Sequence, residues 1–395
     1  MNAYLVGGVR TPMGKYGGAL ASVRPDDLAA LVVAEAVRRA GIADDAIDEV
    51  ILGAANQAGE DNRNVARMAT LLAGLPDTTP GFTVNRLCAS GLQAIVSAAQ
   101  QVTAGGADVV VAGGVESMTR SPWVMQKPGT PWARPGEVAD TSLGWRLVNP
   151  RMKEADGGKA TIAMGETAEE VAALDGITRE QSDAFALRSH ERATAATKDG
   201  RFDAEILAVE TKDGTVSTDE GPRADTTLDR LGKLRTVFRE GGIVTAGSSS
   251  PLSDGAAAIV VASEDAVRRH NLTPRARIVA GASAGVPPHI MGLGPVPSTE
   301  KALARAGWAA GDLDAVEINE AFAPQVLACV SRLGLDMEKV NADGGAIALG
   351  HPLGCSGARL AVTLLGRMER ENARRGLATL CVGVGQGLAM LVERV

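Results

Sequence analysis

Three short segments, far apart in the chain, place reactive side chains beside small residues. They are residues 84–92 (VNRLCASGL), 350–354 (GHPLG) and 381–387 (CVGVGQG), and each contains one cysteine or histidine. Small neighbours allow a substrate backbone or a thioester to approach these side chains closely. Two thiols and one imidazole, without the spacing of metal ligands, indicate acyl transfer through a cysteine rather than metal chemistry.

The first segment contains Cys88, a candidate nucleophile. Residues 90–103 have helical composition, so Cys88 is expected at a strand-to-helix turn. Free N–H groups and the positive end of the helix dipole would favour its thiolate over the thiol, whose unperturbed pKa is roughly 8.5. A buried, inert cysteine is the usual alternative for a single Cys. The presence of the other two segments favours the reactive interpretation.

The other two segments carry an imidazole and a second thiol. His351 is one of four histidines, and it is the one flanked by glycine and proline on a turn. A neutral imidazole there can take the proton of a nearby thiol, although a hydrogen-bonded loop histidine fits the local sequence equally well. Cys381 follows a predicted strand at 377–380 and enters a glycine-rich loop whose N–H groups could stabilise an oxyanion. The glycine spacing does not fit a dinucleotide fingerprint.

A fourth candidate segment, residues 319–322 (NEAF), follows a predicted strand at 315–318. A polar pair at the carboxyl end of a strand in a doubly wound sheet is well placed to contact a ligand. The same pair could instead cap the next helix. The segment alone favours neither interpretation.

Composition and charge narrow the class of protein. The 395 residues are 45% hydrophobic, which allows a large core in two or three domains, and the net charge of -7 argues against nucleic acid as a partner. No apolar stretch is long enough to span a bilayer, and the N-terminus does not resemble a secretory leader. The four cysteines are therefore expected to be free thiols in the cytoplasm.

The elements that position these residues alternate between short apolar strands and helices. Residues 26–40 and 90–103 are predicted helices, and residues 50–52 and 109–112 are predicted buried strands. This alternation is typical of an α/β layered fold. The C-terminal half repeats the scheme, because three short matches occur in order and at the same separation: 40–41 with 306–307, 48–50 with 314–316, and 90–91 with 356–357. The repeat indicates two copies of one unit.

The middle of the chain differs from both copies. Residues 121–161 contain three tryptophans and five prolines, which leaves little room for regular structure before a helical run at 164–198. An insertion of this kind is usually a lid, a binding loop or an assembly element. The predicted division is an N-terminal unit at 1–120 plus 248–270, which includes a strand at 254–263, a loop domain at 121–247, and a C-terminal unit at 271–395.

Together these segments resemble the thiolase family, and the resemblance extends over essentially the whole chain. It rests on a highly specific combination of motifs: residues 84–92, 113–118 (GGVESM), 319–322, 350–354 and 381–387. It implies two thiolase-type α/β/α layered units with an inserted loop domain that covers the active site.

The resemblance also implies a role for each site residue. Cys88 would be the acylated nucleophile, His351 its activator, and Cys381 the acid and base at the carbon α to a thioester. Asn319, acting through a water, would form one oxyanion hole with His351, and the N–H groups of Cys88 and Gly383 would form the other. The implied reaction is CoA-dependent cleavage of a 3-ketoacyl-CoA, or its reverse. Coenzyme A is then a substrate, and neither a metal nor another cofactor is needed.

Contacts with coenzyme A follow from the same resemblance. The loop at 245–250 (TAGSSS) resembles the thiolase segment that contacts the pantetheine, and Arg223 lies where a family member would place a cation near the nucleotide phosphates. The neighbourhood of Arg223 also fits a solvated helix of mixed charge. The implied contact residues are Arg223, Ala246, Ser250, Met164 and Phe322.

Departures from the family pattern affect the expected length of the acyl chain in the substrate. Short-chain thiolases typically carry His-Met-Gly in the covering loop, whereas residues 163–165 are Ala-Met-Gly, and Val384 and Gln386 resemble degradative thiolases. These differences favour a 3-ketoacyl-CoA of more than four carbons over acetoacetyl-CoA. The resemblance also implies a homodimer or homotetramer.

Two other classes of protein are alternatives. A ketosynthase-type condensing enzyme shares the duplicated fold but normally combines one cysteine with two histidines, whereas this chain offers one well-placed histidine and a second cysteine. A non-catalytic acyl-CoA or lipid carrier on the same scaffold need not retain all three reactive residues. The presence of Cys88, His351 and Cys381 together favours the thiolase interpretation.

Overall fold

A computed structural model of the chain describes residues 2–395, which form strands and helices in alternation. The strands are β1 (Ala3–Arg10), β2 (Gly14–Lys15), β3 (Glu49–Gly53), β4 (Gly81–Val84), β5 (Val109–Ser117), β6 (Trp123–Met125), β7 (Val138–Asp140), β8 (Val209–Thr211), β9 (Gly214–Val216), β10 (Ser253–Ser263), β11 (Pro274–Gly285), β12 (Ala315–Ile318), β13 (Arg375–Val382) and β14 (Gln386–Arg394). The helices are α1 (Pro25–Ala40), α2 (Val65–Leu72), α3 (Ser90–Thr103), α4 (Pro150–Glu154), α5 (Met164–Asp175), α6 (Arg179–Lys198), α7 (Leu228–Gly232), α8 (Glu264–Arg269), α9 (Pro295–Ala306), α10 (Ala323–Leu333), α11 (Ala346–Leu349) and α12 (Leu353–Arg370).

One large mixed sheet joins the two halves of the chain. Its order is β12-β13-β14-β11-β1-β10-β5-β3-β4, with β2 paired to β10. Strands β1 and β11 pair antiparallel at the centre. Outward from them, each half adds two strands by antiparallel pairing. The C-terminal half then adds β12 by parallel pairing, and the N-terminal half adds both β3 and β4 in this way. The predicted α/β class with two similar units is confirmed, and the boundaries at residues 120, 247 and 270 stay a prediction.

Helices α3 and α12 lie side by side between the two halves of the sheet. Alternate residues of the inner strands, among them Val110, Ile259 and Leu380, pack on these helices, and their neighbours in each strand face the outer helices. The two helices approach closely at Gly91, because a Cβ added there would lie 2.7 Å from a carbonyl oxygen of α12. The corresponding Gly357 would place a Cβ 2.3 Å from a backbone nitrogen of α3.

The outer helices α1 and α9 begin and end with the same signals in both units. Each has a proline in its first turn, Pro25 or Pro295, and each ends at a glycine in the left-handed region, Gly41 or Gly307, with φ of 68° in both cases. Helix α1 packs with α2 on the N-terminal half of the sheet, and α9 packs with α10 on the C-terminal half. The shared signals agree with the predicted duplication.

The inserted segment contains more regular structure than the sequence indicated. Residues 121–161 include the hairpin of β6 and β7 and the short helix α4, so the expectation of an irregular stretch was wrong in part. The helical run predicted at 164–198 is divided into α5 and α6 by Gly176, which has a left-handed φ of 65°. The strand predicted at 109–112 extends to Ser117, because β10 pairs with its whole length. No helix among residues 2–395 is both long and apolar enough to cross a membrane.

Candidate active site

The reactive side chains from the three separate segments line one cavity. Cys88, His351, Cys381 and Gly383 contribute to its wall, and its volume is about 510 Å³. The packing of α3 against α12 accounts for the first two, because Cys88 lies just before α3 and His351 just before α12. A cavity of this size is suited to a small-molecule ligand.

Neighbouring side chains hold the turn that presents Cys88. Leu87 has a left-handed φ of 47°, a strained conformation for a branched side chain that is often found at functional sites. Oδ1 of Asn85 accepts the N–H of Leu87 at 2.9 Å. The hydroxyl of Ser90 accepts the N–H of Arg86 at 2.9 Å and donates to the carbonyl of Leu87 at 2.6 Å. These bonds offset the strain and fix the position of the thiol.

The Cys88 thiol is neutral in the free protein. The residue is half-buried, and burial of its sulfur raises the pKa to about 11, although the N–H groups of Gly383 and of Cys88 itself hydrogen-bond the sulfur and act in the opposite direction. The expectation that the helix N-terminus would favour the thiolate was therefore wrong, because desolvation outweighs the donors. A base is needed to remove the thiol proton.

His351 is held in one tautomer. Its Nδ1 lies 2.6 Å from Oγ of Ser356, and the Ser356 hydroxyl donates to the carbonyl of Pro352 at 2.9 Å. Since the single hydroxyl proton is used in that bond, Oγ accepts from Nδ1–H, which leaves Nε2 with a free lone pair. Burial, followed by the positive charge of Arg359, lowers the pKa of His351 to about 3. The imidazole is therefore neutral and can accept a proton.

Asn319 lies beside this imidazole at the end of β12. Its Nδ2 lies 3.3 Å from Nε2 of His351, and its Oδ1, although buried, has no hydrogen-bond partner among residues 2–395. An amide that directs one group to the imidazole and leaves the other available is suited to binding a water or a ligand oxygen. The predicted N-cap role does not apply, because Phe322 is the residue that precedes α10.

Cys381 lies within strand β13, where it pairs with Gly387 of β14. The predicted strand was thus too short, because the antiparallel partner extends it to Val382. Cys381 is only 1% exposed, and burial, with the nearby Cys88 and Cys329 as lesser causes, raises the pKa of its thiol well above the ordinary value. Two neutral thiols and one neutral imidazole therefore share the cavity.

Glu116 is a buried residue of the cavity wall whose place the sequence did not indicate. Its carboxylate accepts the N–H groups of Ala55, Asn56 and Gly354 at 2.9, 3.2 and 2.8 Å. Burial raises the pKa of Glu116 to about 7. The carboxylate joins β5 to the start of α12 and so helps to position His351. The 113–118 motif contained this glutamate, but only the tertiary contacts reveal its partners.

The predicted coenzyme A contacts fall into two groups. Met164, Ser250 and Phe322 line the cavity, whereas Arg223 and Ala246 are exposed outside its wall. The backbone N–H of Arg223 donates to Nδ1 of His190 at 3.2 Å, which fixes its segment against α6. No group of three or more His, Cys, Asp or Glu side chains within the described chain is arranged to hold a metal ion.

Comparison with known proteins gives matches along the whole chain. The model of the thiolase N-terminal domain matches residues 3–265, and that of the thiolase C-terminal domain matches residues 272–394. The chain is 53% identical over 401 residues to the 3-oxoadipyl-CoA/3-oxo-5,6-dehydrosuberyl-CoA thiolase of Escherichia coli K12, with 100% of this chain and 99% of that protein covered. It is 53% identical over 399 residues to the β-ketoadipyl-CoA thiolase of Pseudomonas aeruginosa, with 99% of each covered.

A solved structure gives a match at the level of the fold. The crystal structure of human mitochondrial 3-ketoacyl-CoA thiolase in complex with CoA superposes with a TM-score of 0.94 at 40% identity. The match covers 100% of this chain and 98% of the human chain.

Proposed function

The chain belongs to the thiolase family, a family of acyltransferases, and we propose that it acts through an acyl-Cys88 intermediate. The reaction is CoA-dependent cleavage of a 3-ketoacyl-CoA to acetyl-CoA and a shortened acyl-CoA, or the reverse Claisen condensation. One observation carries the proposal: Cys88, His351 and Cys381 line a single cavity.

In the first half of the cleavage, Nε2 of His351 takes the proton of the Cys88 thiol, and the sulfur attacks the 3-keto carbon. The bond between C2 and C3 then breaks, and its electron pair forms the enolate of acetyl-CoA. Cys381 protonates C2 and acetyl-CoA leaves, while the acyl group stays on Cys88. Because His351 is neutral and Cys381 is protonated at physiological pH, each begins in the state that its role requires.

Before the second half, the proton held by His351 restores the Cys381 thiol. The neutral His351 then takes the proton of the CoA thiol, whose sulfur attacks the acyl-Cys88 carbonyl, and returns that proton to the Cys88 sulfur as the carbon–sulfur bond breaks. The acyl group is transferred to CoA, and the Cys88 thiol is restored. Negative charge develops on a thioester oxygen in both halves. Asn319 with His351, and the N–H groups of Cys88 and Gly383, are the donors proposed to stabilise it. Two contacts support this: Nδ2 of Asn319 lies 3.3 Å from Nε2 of His351, and the N–H of Gly383 hydrogen-bonds the Cys88 sulfur.

The alternatives fit the cavity less well. His351 is the one histidine in the cavity wall among the described residues, whereas a ketosynthase-type site normally uses two. A carrier on this scaffold would not need a second thiol beside the first. The arrangement of two thiols around one imidazole thus favours a thiolase over both.

We also propose which residues contact coenzyme A, how many chains assemble and in which compartment the protein is found. Ser250, Met164 and Phe322 would contact the pantetheine arm inside the cavity, and Arg223 and Ala246 would contact coenzyme A at the surface. A homodimer or homotetramer is proposed from the family. All four cysteines are free thiols, which favours a reducing compartment such as the cytoplasm.

The relatives suggest the acyl group. Both relatives at 53% identity carry names that specify a 3-oxoadipyl (β-ketoadipyl) thioester. We therefore propose a six-carbon 3-oxo acyl group as the substrate in preference to acetoacetyl-CoA, in agreement with Ala163 in the covering loop.

The function is tested by the rate of CoA-dependent cleavage of acetoacetyl-CoA and of 3-oxoadipyl-CoA. The wild type should cleave both, with the higher kcat/KM for 3-oxoadipyl-CoA, and Cys88→Ala should bind the esters without turnover. Preference for acetoacetyl-CoA would contradict the proposed acyl group alone. Turnover by Cys88→Ala would contradict the nucleophile, and a folded wild type that cleaves neither ester would favour the carrier.

A further inference from the structure

The cavity contains one cation without a carboxylate partner. Arg146 is the one lysine or arginine in its wall, and Glu116 is the one acidic residue there. Glu116 is not its counter-ion: the carboxylate accepts three backbone N–H groups and forms no ion pair with Arg146. Arg146 forms no ion pair within 4.0 Å and no side-chain hydrogen bond with residues 2–395, although it is half-buried.

The nearest carboxylate is already engaged elsewhere. Oδ1 of Asp140 accepts the N–H of Ser142 at 2.7 Å. The pKa of Asp140 is lowered first by the hydrogen bonds from Ser142, and the charge of Arg146 is the last of the causes. The guanidinium of Arg146 therefore has donors that no protein group uses and that a ligand acceptor could bind.

The residue next to Arg146 fixes its place relative to the thiols. Nε1 of Trp145 donates to the carbonyl of Ile162 at 3.3 Å. The Trp145 ring lies against Gly383, since a Cβ added to that glycine would be 3.1 and 3.3 Å from two ring carbons. The N–H of Gly383 in turn hydrogen-bonds the Cys88 sulfur. Arg146 therefore follows directly after a residue that packs on Gly383, next to the Cys88 sulfur.

This position is suited to the acyl chain of the substrate rather than to the nucleotide. The phosphates of coenzyme A lie at the far end of the pantetheine arm from the thioester sulfur, which must reach Cys88 and Cys381. The acyl chain extends from the same carbonyl that Cys88 attacks. A cation in the wall of the cavity that holds the thiols is thus placed to meet a short acyl chain.

We propose that Arg146 binds the terminal carboxylate of a 3-oxo dicarboxylyl-CoA and so selects this substrate over a neutral 3-ketoacyl-CoA of the same length. The inference rests on the proposed thiolase function and adds a specificity-determining residue to it. A guanidinium can donate two parallel hydrogen bonds to a carboxylate, and such charge-assisted pairs are stronger than neutral ones. The carboxylate is bound and takes no part in the bond changes.

The test compares two substrates that differ only at the end of the acyl chain. These are 3-oxoadipyl-CoA, which has a terminal carboxylate, and 3-oxohexanoyl-CoA, which has a methyl group there. The wild type should prefer 3-oxoadipyl-CoA in kcat/KM. Arg146→Met should reduce that preference by about 10- to 100-fold, the range expected for a lost hydrogen bond to a charged group. The loss should fall on 3-oxoadipyl-CoA rather than on 3-oxohexanoyl-CoA, and continued cleavage of the neutral ester shows that the variant is folded.

Two further variants make the result specific. Arg146→Lys keeps the charge and should retain part of the preference, and Arg151→Met removes an exposed arginine outside the cavity wall and should change neither rate. Equal loss with both substrates in Arg146→Met, or no loss with either, would overturn the inference while the thiolase reaction stood. A wild type without preference would do the same. A wild type that cleaves neither ester would instead overturn the proposed function.

Discussion

Burial removes charge from each of the three reactive side chains in the cavity. It raises the pKa of the thiols of Cys88 and Cys381 and lowers that of the imidazole of His351, so all three are neutral before substrate binds. In the proposed mechanism, charge therefore develops only during the reaction, where the N–H of Gly383 and the amide of Asn319 are the proposed donors. Proton transfer from Cys88 to His351 would then not start from a preformed ion pair.

Substitution of Cys381 and substitution of Cys88 should impair different activities. In Cys381→Ser, cleavage and condensation should fall by about 10²- to 10⁴-fold, because the proton at the α carbon is no longer transferred efficiently. Exchange of labelled CoA into acetyl-CoA needs only the acyl-Cys88 thioester, so it should persist in this variant. Equal loss of exchange and cleavage would contradict the assigned role of Cys381. Cys88→Ala is the control in which both activities should vanish.

Ser356 should affect the rate of catalysis because it fixes the tautomer of His351. In Ser356→Ala, Nδ1–H loses its acceptor, and the imidazole loses both orientation and the preference that leaves Nε2 free. A loss of about 1–3 kcal/mol is expected, so kcat should fall by about 5- to 150-fold with a smaller change in KM. An unchanged kcat would mean that packing alone fixes the ring.

At this scale the sequence indicated the three reactive side chains that line one cavity, but not the residues that support them. Cys88, His351 and Cys381 could be selected because uncommon reactive types lie beside glycine and proline. Ser356 and Glu116 could not. The role of Ser356 depends on a 2.6 Å contact with the imidazole, and that of Glu116 depends on N–H groups from the loop after β3 and from the start of α12. The direction of the Cys88 pKa shift was missed for a similar reason, since desolvation depends on the walls of the folded cavity.

Among the elements, the contact between α3 and α12 positions the site. The two helices begin beside Cys88 and His351, so any change in their separation moves one reactive group relative to the other. Glycine at 91 and at 357 is required by the close approach of the two backbones. The symmetry of the two glycines reflects the duplication of the unit.

Gly91→Ala should therefore destabilise the protein. Its Cβ would lie 2.7 and 2.8 Å from backbone atoms of α12, which cannot move aside as a flexible side chain could. The overpacking should cost about 1–3 kcal/mol, more than the gain of up to about 1 kcal/mol in helix propensity. Gly232→Ala in α7 has open space around the new methyl group and should cause no loss. Urea denaturation of both variants checks this, and equal stability would contradict the close packing.

The sequence predicted some elements better than others. Helix α3 lies at the predicted residues, because its composition is helical and the turn at Cys88 limits its start. Strand β13 was predicted too short, because its end depends on hydrogen bonds to β14 rather than on its own residues. The β6–β7 hairpin was missed for the same reason, since proline-rich local sequence hides pairing between distant residues.

At the level of the whole molecule, one candidate reactive segment lies in the N-terminal half and two lie in the C-terminal half, and all three meet at one cavity beside the central helices. In the sheet order, β1-β10-β5-β3 in one half corresponds to β11-β14-β13-β12 in the other, and β4 is an additional edge strand of the N-terminal half. The offset between matching residues revealed this duplication in the sequence. The union of the two halves into one sheet was not predictable, because the pairing of Tyr4 with Arg277 joins distant parts of the chain.

The buried His351 should make the stability of the whole molecule depend on pH. Its pKa is about 3 in the native state and about 6.5 when unfolded, so between these values only the unfolded chain binds the proton. Stability from this group is therefore complete above pH 6.5 and falls as pH decreases towards 3. When the pH is lowered from 7 to 5, protonation of His351 in the unfolded chain should reduce the free energy of unfolding by about 2 kcal/mol.

His351→Gln should lack this contribution. The difference in unfolding free energy between variant and wild type should shift by about 2 kcal/mol in favour of the variant when the pH is lowered from 7 to 5. Urea titrations at both pH values and one protein concentration would measure it. A difference that does not change with pH would mean that His351 can be protonated in the native state.

The most direct test of the central claim is to locate the acyl group on the enzyme. The protein is mixed with acetyl-CoA, free CoA is removed, and the acetylated peptide is identified by mass spectrometry. We predict acetylation of Cys88, its absence in Cys88→Ala, and its release when CoA is added back. Acetylation of Cys381 or of another residue, in an enzyme that turns over and releases the group to CoA, would contradict the account.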